Sequence, residues 1–254
     1  MDVTATIERG AATAPVSPPT GEDKSRVKRT GGFLTSSNGK KAIMAVTGAV
    51  MVLFLVGHMI GNLKIFAGRD SFNEYAHALR TLLEPLAPYR SLLTLVEIVL
   101  VVSVVLHMWA AISLSRRAAA ARPVKYAAKK KSRAKGYATH IMRFGGITIA
   151  LFLVWHLLDL TFGVVNPEGF ASTPADRMIA GFDPSRWYVT LLYIVAVVMV
   201  GLHLRHGIWS AFQTLGVANR NRNKALNGIA ALVAAVLVIG FLAPPLAITF
   251  GVIQ

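Results

Sequence analysis

The sequence contains no cysteine and few acidic residues. Without cysteine the chain cannot form disulfides, and it cannot hold an iron–sulfur cluster or a zinc ion through thiolates. Asp and Glu together number 12 among 254 residues, and all charged residues make up only 15% of the chain. Hydrophobic residues make up 54%. This balance is typical of an integral membrane protein.

Five apolar runs are long enough to cross about 30 Å of hydrocarbon as helices. They lie at about 42–66, 91–114, 141–165, 187–212 and 226–250. We therefore predict an all-α membrane protein, with a five-helix transmembrane domain over residues 36–254. Residues 1–35 are rich in Ala, Pro, Thr and Gly and have neither an apolar core nor the apolar stretch of a signal peptide. We predict a disordered tail there.

The basic residues are unevenly distributed and indicate an orientation. The segment between the second and third runs, residues 115–140, contains nine Lys or Arg residues and no acid. The tail and the loop after the fourth run are also basic, whereas loops 67–90 and 166–186 mix both signs. The positive-inside rule then places the N-terminus in the cytoplasm and the C-terminus outside. The net charge of +15 thus reflects topology and contacts with anionic lipid or a cytoplasmic partner, not nucleic-acid binding.

The two outer loops carry different patterns. Loop 67–90 has an approximate helical stripe of apolar residues, which predicts a short amphipathic helix on the outer surface. Loop 166–186 contains three prolines and is predicted to be irregular. Pro244 and Pro245 are predicted to kink the end of the fifth helix.

Each of the first four helices contains one histidine near its middle. These are His58, His107, His156 and His203, spaced 49, 49 and 47 residues apart. An ionisable residue in lipid is costly and often functional. Given the predicted orientation, their positions along the helices pair His58 with His156 in an outer layer and His107 with His203 in an inner layer. The layers differ by about 12 Å of helix rise.

Two imidazoles on opposite sides of an iron form a common axial ligand set of haem. Zinc and non-haem iron require three or four protein ligands. We therefore predict two haem groups within a bundle of the first four helices. The alternative is that the histidines only bridge helices by hydrogen bonds. His206 follows His203 by three residues and competes with it as a ligand, whereas His140 and His77 are interpreted as surface residues.

A faint repeat relates the two halves of this bundle. Gly48 precedes the segment Leu53–His58 as Gly146 precedes the segment Leu151–His156. Two similar helix pairs would build a pseudo-symmetric four-helix core, with the fifth helix outside it.

At these residues the chain resembles the cytochrome b558-type, di-haem membrane anchors of succinate dehydrogenase (complex II). The resemblance covers about residues 33–250 and rests on five segments: Phe54–Asn62, Ser71–His77, Leu106–His107, Trp155–Asp159 and His203–Ser210. It implies the same two pairs of haem b ligands. In similar anchors the first position of a His-x-x-[His/Asn]-Gly stretch carries the ligand, which favours His203 over His206.

The resemblance also implies partners and a reaction. A cytoplasmic flavoprotein and an iron–sulfur subunit would dock to this chain in a bacterial cytoplasmic membrane. Electrons would pass from the inner to the outer haem and reduce a membrane quinone, with menaquinone expected. Open alternatives are the cytochrome b subunit of a formate dehydrogenase or hydrogenase, and a haem-free transporter whose histidines shuttle protons.

Further site residues follow from this reading. Asp159 and Glu97 lie in the outer halves of their helices and are candidates for protonating the quinone. The alternative is that both contact headgroups or arginines of the outer loops. Near the inner face, cations can pair with haem propionates. The candidates there are Arg143, Lys41 and Arg205.

Overall fold

The computed structural model describes residues 32–121, 141–216, 219 and 221–254. Every regular element in these residues is helical. Five helices there are long and apolar enough to cross a membrane, and we call them the first to fifth spans: Ser37–Ala67, Ser91–Ala120, Ile141–Thr161, Pro184–Thr214 and Asn223–Thr249. The described residues therefore confirm the prediction of an all-helical protein with five helices long and apolar enough to span a membrane. Most of the predicted tail, residues 122–140 of the basic segment and His140 lie outside the described residues.

Local signals explain where two spans differ from their predicted bounds. The first span starts before the apolar run because the Ser36 hydroxyl caps it, accepting a hydrogen bond of 2.9 Å from the backbone N–H of Gly39. The third span is an α-helix over Gly146–His156, flanked by π-helical turns at Ile141–Gly145 and Leu157–Thr161. It ends earlier than predicted, and shortly afterwards the chain turns at Gly163 with a φ of 64°.

The two loops predicted to lie outside are at the same end of the bundle, where they form a helical cap. The predicted amphipathic helix is present at Arg69–Thr81. The loop predicted to be irregular instead contains a second helix, Pro174–Gly181. That prediction was wrong because Pro174 occupies the first turn, which needs no backbone N–H, and the Thr173 hydroxyl caps the helix. We call these two helices and their connections the cap.

Polar contacts hold the cap together and join it to the fourth span. Arg69 pairs with Asp176 at 3.1 Å across the two cap helices. At the entry to the fourth span, hydrogen bonds from the side chain and backbone of Ser185 hold the pKa of Asp183 below the usual carboxyl range. Beneath these contacts a buried apolar cluster joins the cap to the bundle.

The spans pack in two pairs, the first against the second and the third against the fourth. The fifth span contacts the first and the fourth. The contact is close: a Cβ added at Gly240 would lie 2.2 Å from the sulfur of Met59, and one at Gly201 would lie 2.4 Å from Val238. The fifth span continues through Pro244 and Pro245 to Thr249, with both prolines buried.

Candidate metal centre

The first histidine pair joins the first and third spans on the side of the bundle nearer the cap. The ring centroids of His58 and His156 are 5.9 Å apart, and the ring planes are nearly perpendicular at 86°. We call this the outer pair. Aromatic rings surround it: Phe54 and Phe241 lie 5.2 and 5.8 Å from His58, and Phe152 lies 5.8 Å from His156. Sequence reasoning did not identify Phe241, because it is on the fifth span, which has no histidine.

The second pair joins the second and fourth spans. The ring centroids of His107 and His203 are 6.3 Å apart, with 54° between the ring planes. We call this the inner pair. A Cβ at Gly48 would lie 3.4 Å from His107, and one at Gly146 would lie 3.9 Å from His203. The two equivalent glycines of the repeat therefore lie beside equivalent histidines.

These glycines also give the separation of the two layers. Gly48 marks the level of the inner pair on the first span, ten residues before His58, and Gly146 has the same relation to His156. Ten residues of helix rise amount to about 15 Å, somewhat more than the 12 Å predicted. The structure thus brings together the pairs that the sequence grouped by depth, while their role as ligands stays a prediction.

The donor set of each pair suits a metal that already has other ligands. Bonds of about 2 Å to imidazole nitrogens on opposite sides of one ion would place the ring centroids roughly 6 Å apart, close to both distances here. Among the described residues, no three His, Asp or Glu side chains are grouped to hold a metal ion. Two imidazoles alone fit the axial positions of a haem, whose macrocycle supplies the remaining ligands.

One histidine of each pair contacts a hydroxyl through Nδ1. The Thr47 hydroxyl lies 3.2 Å from Nδ1 of His107, and the Tyr193 hydroxyl lies 3.2 Å from Nδ1 of His156. By contrast, Nδ1 of His203 is buried and has no hydrogen-bond partner among the described residues. A metal-bound histidine commonly donates its second N–H to such a group.

Asp159 lies in a buried ion pair beneath the cap. Its side chain is fully buried and accepts hydrogen bonds from Arg186 at 3.3 Å and Asn166 at 3.3 Å. Arg186 also donates to the backbone carbonyls of Val165 and Gly181. This arrangement corresponds to the alternative reading, in which Asp159 contacts an arginine of the outer loop.

Glu97 has a different environment. It pairs with Arg90 at 2.9 Å near the start of the second span, and its side chain is 49% exposed. The two acids that the sequence grouped by depth therefore have separate partners.

The predicted propionate contacts Lys41, Arg143 and Arg205 all have exposed side chains. The neighbouring Lys40 is instead only 6% exposed. Its ammonium group donates to the Ser113 hydroxyl and lies 5.0 Å from the centroid of the Trp109 ring.

No carboxylate pairs with Lys40 among the described residues. Lys40 precedes Thr47 by seven residues, or two helical turns, so both lie on the face that meets the second span. The seven-residue spacing can be read from the sequence, and it places Lys40, not Lys41, on the same helix face as Thr47.

The other histidines among the described residues are His206, three residues after His203 on the fourth span, and His77. The ring of His206 contacts Trp209 at a centroid distance of 5.8 Å, and His77 is exposed on the cap. Comparison with protein-family models, curated proteins and solved structures finds no match for this chain. The function must therefore be argued from the chain's own residues.

Proposed function

We propose that this chain is the membrane-anchoring, di-haem cytochrome b subunit of a succinate dehydrogenase. Electrons would enter from a cytoplasmic iron–sulfur subunit, pass through the inner and then the outer haem, and reduce a membrane quinone, with menaquinone expected. The supporting observation is the presence of two histidine pairs from four different spans, at two levels about 15 Å apart by helix rise. The resemblance supports the succinate-oxidising partners. The charge distribution supports a cytoplasmic N-terminus and an external C-terminus.

In this proposal His58 and His156 would hold the outer haem, and His107 and His203 would hold the inner haem. A bound haem supplies reversible one-electron chemistry, tuned by its axial ligands and its surroundings. The rings of Phe54, Phe152 and Phe241 would exclude water from the outer site.

Lys40 is the best-supported contact for the carboxylates of the inner haem. A buried ammonium without an anionic partner is unfavourable, and a propionate would supply the missing charge. The exposed Lys41, the next residue along the helix, provides a matched control. We expect Lys40→Met to lower the content of the inner haem and Lys41→Met to leave it unchanged, as measured by pyridine haemochrome analysis. Equal haem content in both variants would contradict this assignment.

Protonation of the quinone by Asp159 or Glu97 stays a proposal. The buried ion pair of Asp159 supports a second role, in which its carboxylate anchors the cap. Asp159→Asn separates the two roles when quinone reduction and thermal stability are measured on the same sample. Slower reduction with unchanged stability would support proton donation, whereas lower stability with unchanged turnover would support anchoring.

The decisive experiment is a redox-difference spectrum of the purified complex with and without succinate. We expect b-type absorption bands that succinate reduces, together with co-purifying flavoprotein and iron–sulfur subunits. If formate or hydrogen reduces the haems and succinate does not, the proposed partner is wrong and the proposed haem sites stand. Absence of a Soret band and of iron would contradict the whole proposal and favour a haem-free transporter.

Single histidine variants test the assignment of the pairs. Replacing His107 or His203 with Ala should remove one haem, and replacing His58 or His156 should remove the other. Equal loss of both haems in every variant would contradict two separate sites.

A further inference from the structure

The hydroxyl contacts of the histidines break the symmetry of the internal repeat. The repeat aligns Gly48 with Gly146 and His58 with His156, which makes Gly145 the counterpart of Thr47. Thr47 contacts Nδ1 of His107 on the neighbouring span. Gly145 has no side chain to do the same, and within the part of the chain that the structure describes Nδ1 of His203 is buried without a partner.

The outer pair has the opposite asymmetry. Tyr193 lies ten residues before His203, and its counterpart ten residues before His107 is Glu97. Tyr193 is 5% exposed and contacts Nδ1 of His156, whereas Glu97 is exposed and pairs with Arg90. One histidine of each pair therefore has a hydroxyl partner, and the two partners come from opposite halves of the repeat.

The contacts of Thr47 also define the tautomer of its histidine. The Thr47 hydroxyl donates to the backbone carbonyl of Ile43 at 2.7 Å, so its oxygen presents a lone pair to His107. Nδ1 of His107 must then carry the proton and donate it to Thr47. This leaves the lone pair of Nε2 free, which is the state that a metal ligand requires.

We propose that Thr47 and Tyr193 are positioning residues, each of which fixes one axial histidine and lowers the reduction potential of its own haem. This inference rests on the proposed function. A hydrogen bond donated from Nδ1–H makes the imidazole more electron-donating, which stabilises ferric over ferrous iron. Loss of the hydroxyl should therefore raise the potential of the haem that it serves.

The test is a spectroelectrochemical titration of the intact, membrane-extracted complex carrying Thr47→Val or Tyr193→Phe. Each change removes a hydroxyl and keeps most of the side-chain volume. A tenfold change in the relative stability of ferric and ferrous iron corresponds to about 59 mV in a one-electron couple, which sets the scale of the shift to be measured. We expect Thr47→Val to raise only the inner potential and Tyr193→Phe to raise only the outer potential. The His→Ala variants, each retaining one haem, assign the two potentials.

Two further variants keep the test informative if a haem is lost. Thr47→Ser retains the hydroxyl and should behave as the parent protein. Gly145→Ser places a hydroxyl at the position equivalent to Thr47, and the added Cβ has ordinary space, with the sulfur of Met199 as its nearest atom at 3.8 Å. This variant should lower the inner potential, the opposite direction from Thr47→Val.

The possible failures can be distinguished. If the parent protein carries two haems but the variants leave both potentials unchanged, the positioning roles are wrong and the proposed function stands. The same conclusion holds if each variant moves both potentials equally. If the parent protein carries no haem, both fail together.

Discussion

Replacing Arg186 with methionine should destabilise the bundle strongly, because it leaves a carboxylate unpaired in a buried site. Asp159 is fully buried and Arg186 is 9% exposed. The guanidinium supplies the positive charge at a distance of 3.3 Å. Removal of one partner of a buried pair typically costs about 3–5 kcal/mol. The carbonyls of Val165 and Gly181 would lose their donor as well, which adds to the cost.

The cap offers a matched control in Arg69, which also pairs with an aspartate of the outer loop. That pair with Asp176 is 49% and 33% exposed, so Arg69→Met should cost only about 0–1 kcal/mol. Both variants can be compared by equilibrium unfolding in mixed micelles, followed by far-ultraviolet circular dichroism.

A double variant completes the cycle. Combining Arg186→Met with Asp159→Leu removes both charges, and replacement of a whole buried pair by apolar residues is often neutral or stabilising. The double variant should therefore be more stable than Arg186→Met alone. A cost below about 1 kcal/mol for Arg186→Met, or a double variant as unstable as the sum of the single ones, would refute the ion-pair argument.

Three other predictions concern separate parts of the chain. His206→Asn should leave both haems in place in the absorption spectrum, since the His206 ring contacts a tryptophan; loss of one haem would make it the ligand. Gly201→Ala should cost about 1–3 kcal/mol of unfolding free energy by overpacking against Val238, whereas Gly228→Ala, with open space around it, should not destabilise. Because the pKa of Asp183 is lowered in the fold, its stabilising contribution is complete above a pH of about 4 and is lost as the pH falls through the folded pKa. Asp183→Asn should abolish this acid sensitivity in thermal melts.

Hydropathy and helical spacing in the sequence were enough to predict the five spans and the two histidine pairs. Both depend on regular geometry: the thickness of a bilayer and a rise of about 1.5 Å per residue. The pairing could be predicted because His58 and His156, and likewise His107 and His203, lie at matching depths along their helices.

The sequence was less informative wherever the outcome depended on contacts between distant segments. The pairing of Asp159 with Arg186 joins residues 27 positions apart through the fold of the cap. Pro174 was interpreted as a helix breaker, although the threonine before it was a capping signal. Lys40 and Lys41 have the same chemistry, and only helical phase, measured from Thr47, separates the buried residue from the exposed one.

If the two layers hold haems as proposed, their separation implies a sensitivity to membrane voltage. About 15 Å is half of a hydrocarbon core of about 30 Å, so an electron moving between the layers crosses roughly half of the transmembrane field. A full crossing corresponds to about 2.3 kcal/mol per 100 mV, and half of it to about 1.2 kcal/mol. With the proposed orientation and a negative cytoplasm, this energy favours the outer site. A potential of 100 mV would then shift the electron distribution between the two sites outward by roughly sevenfold.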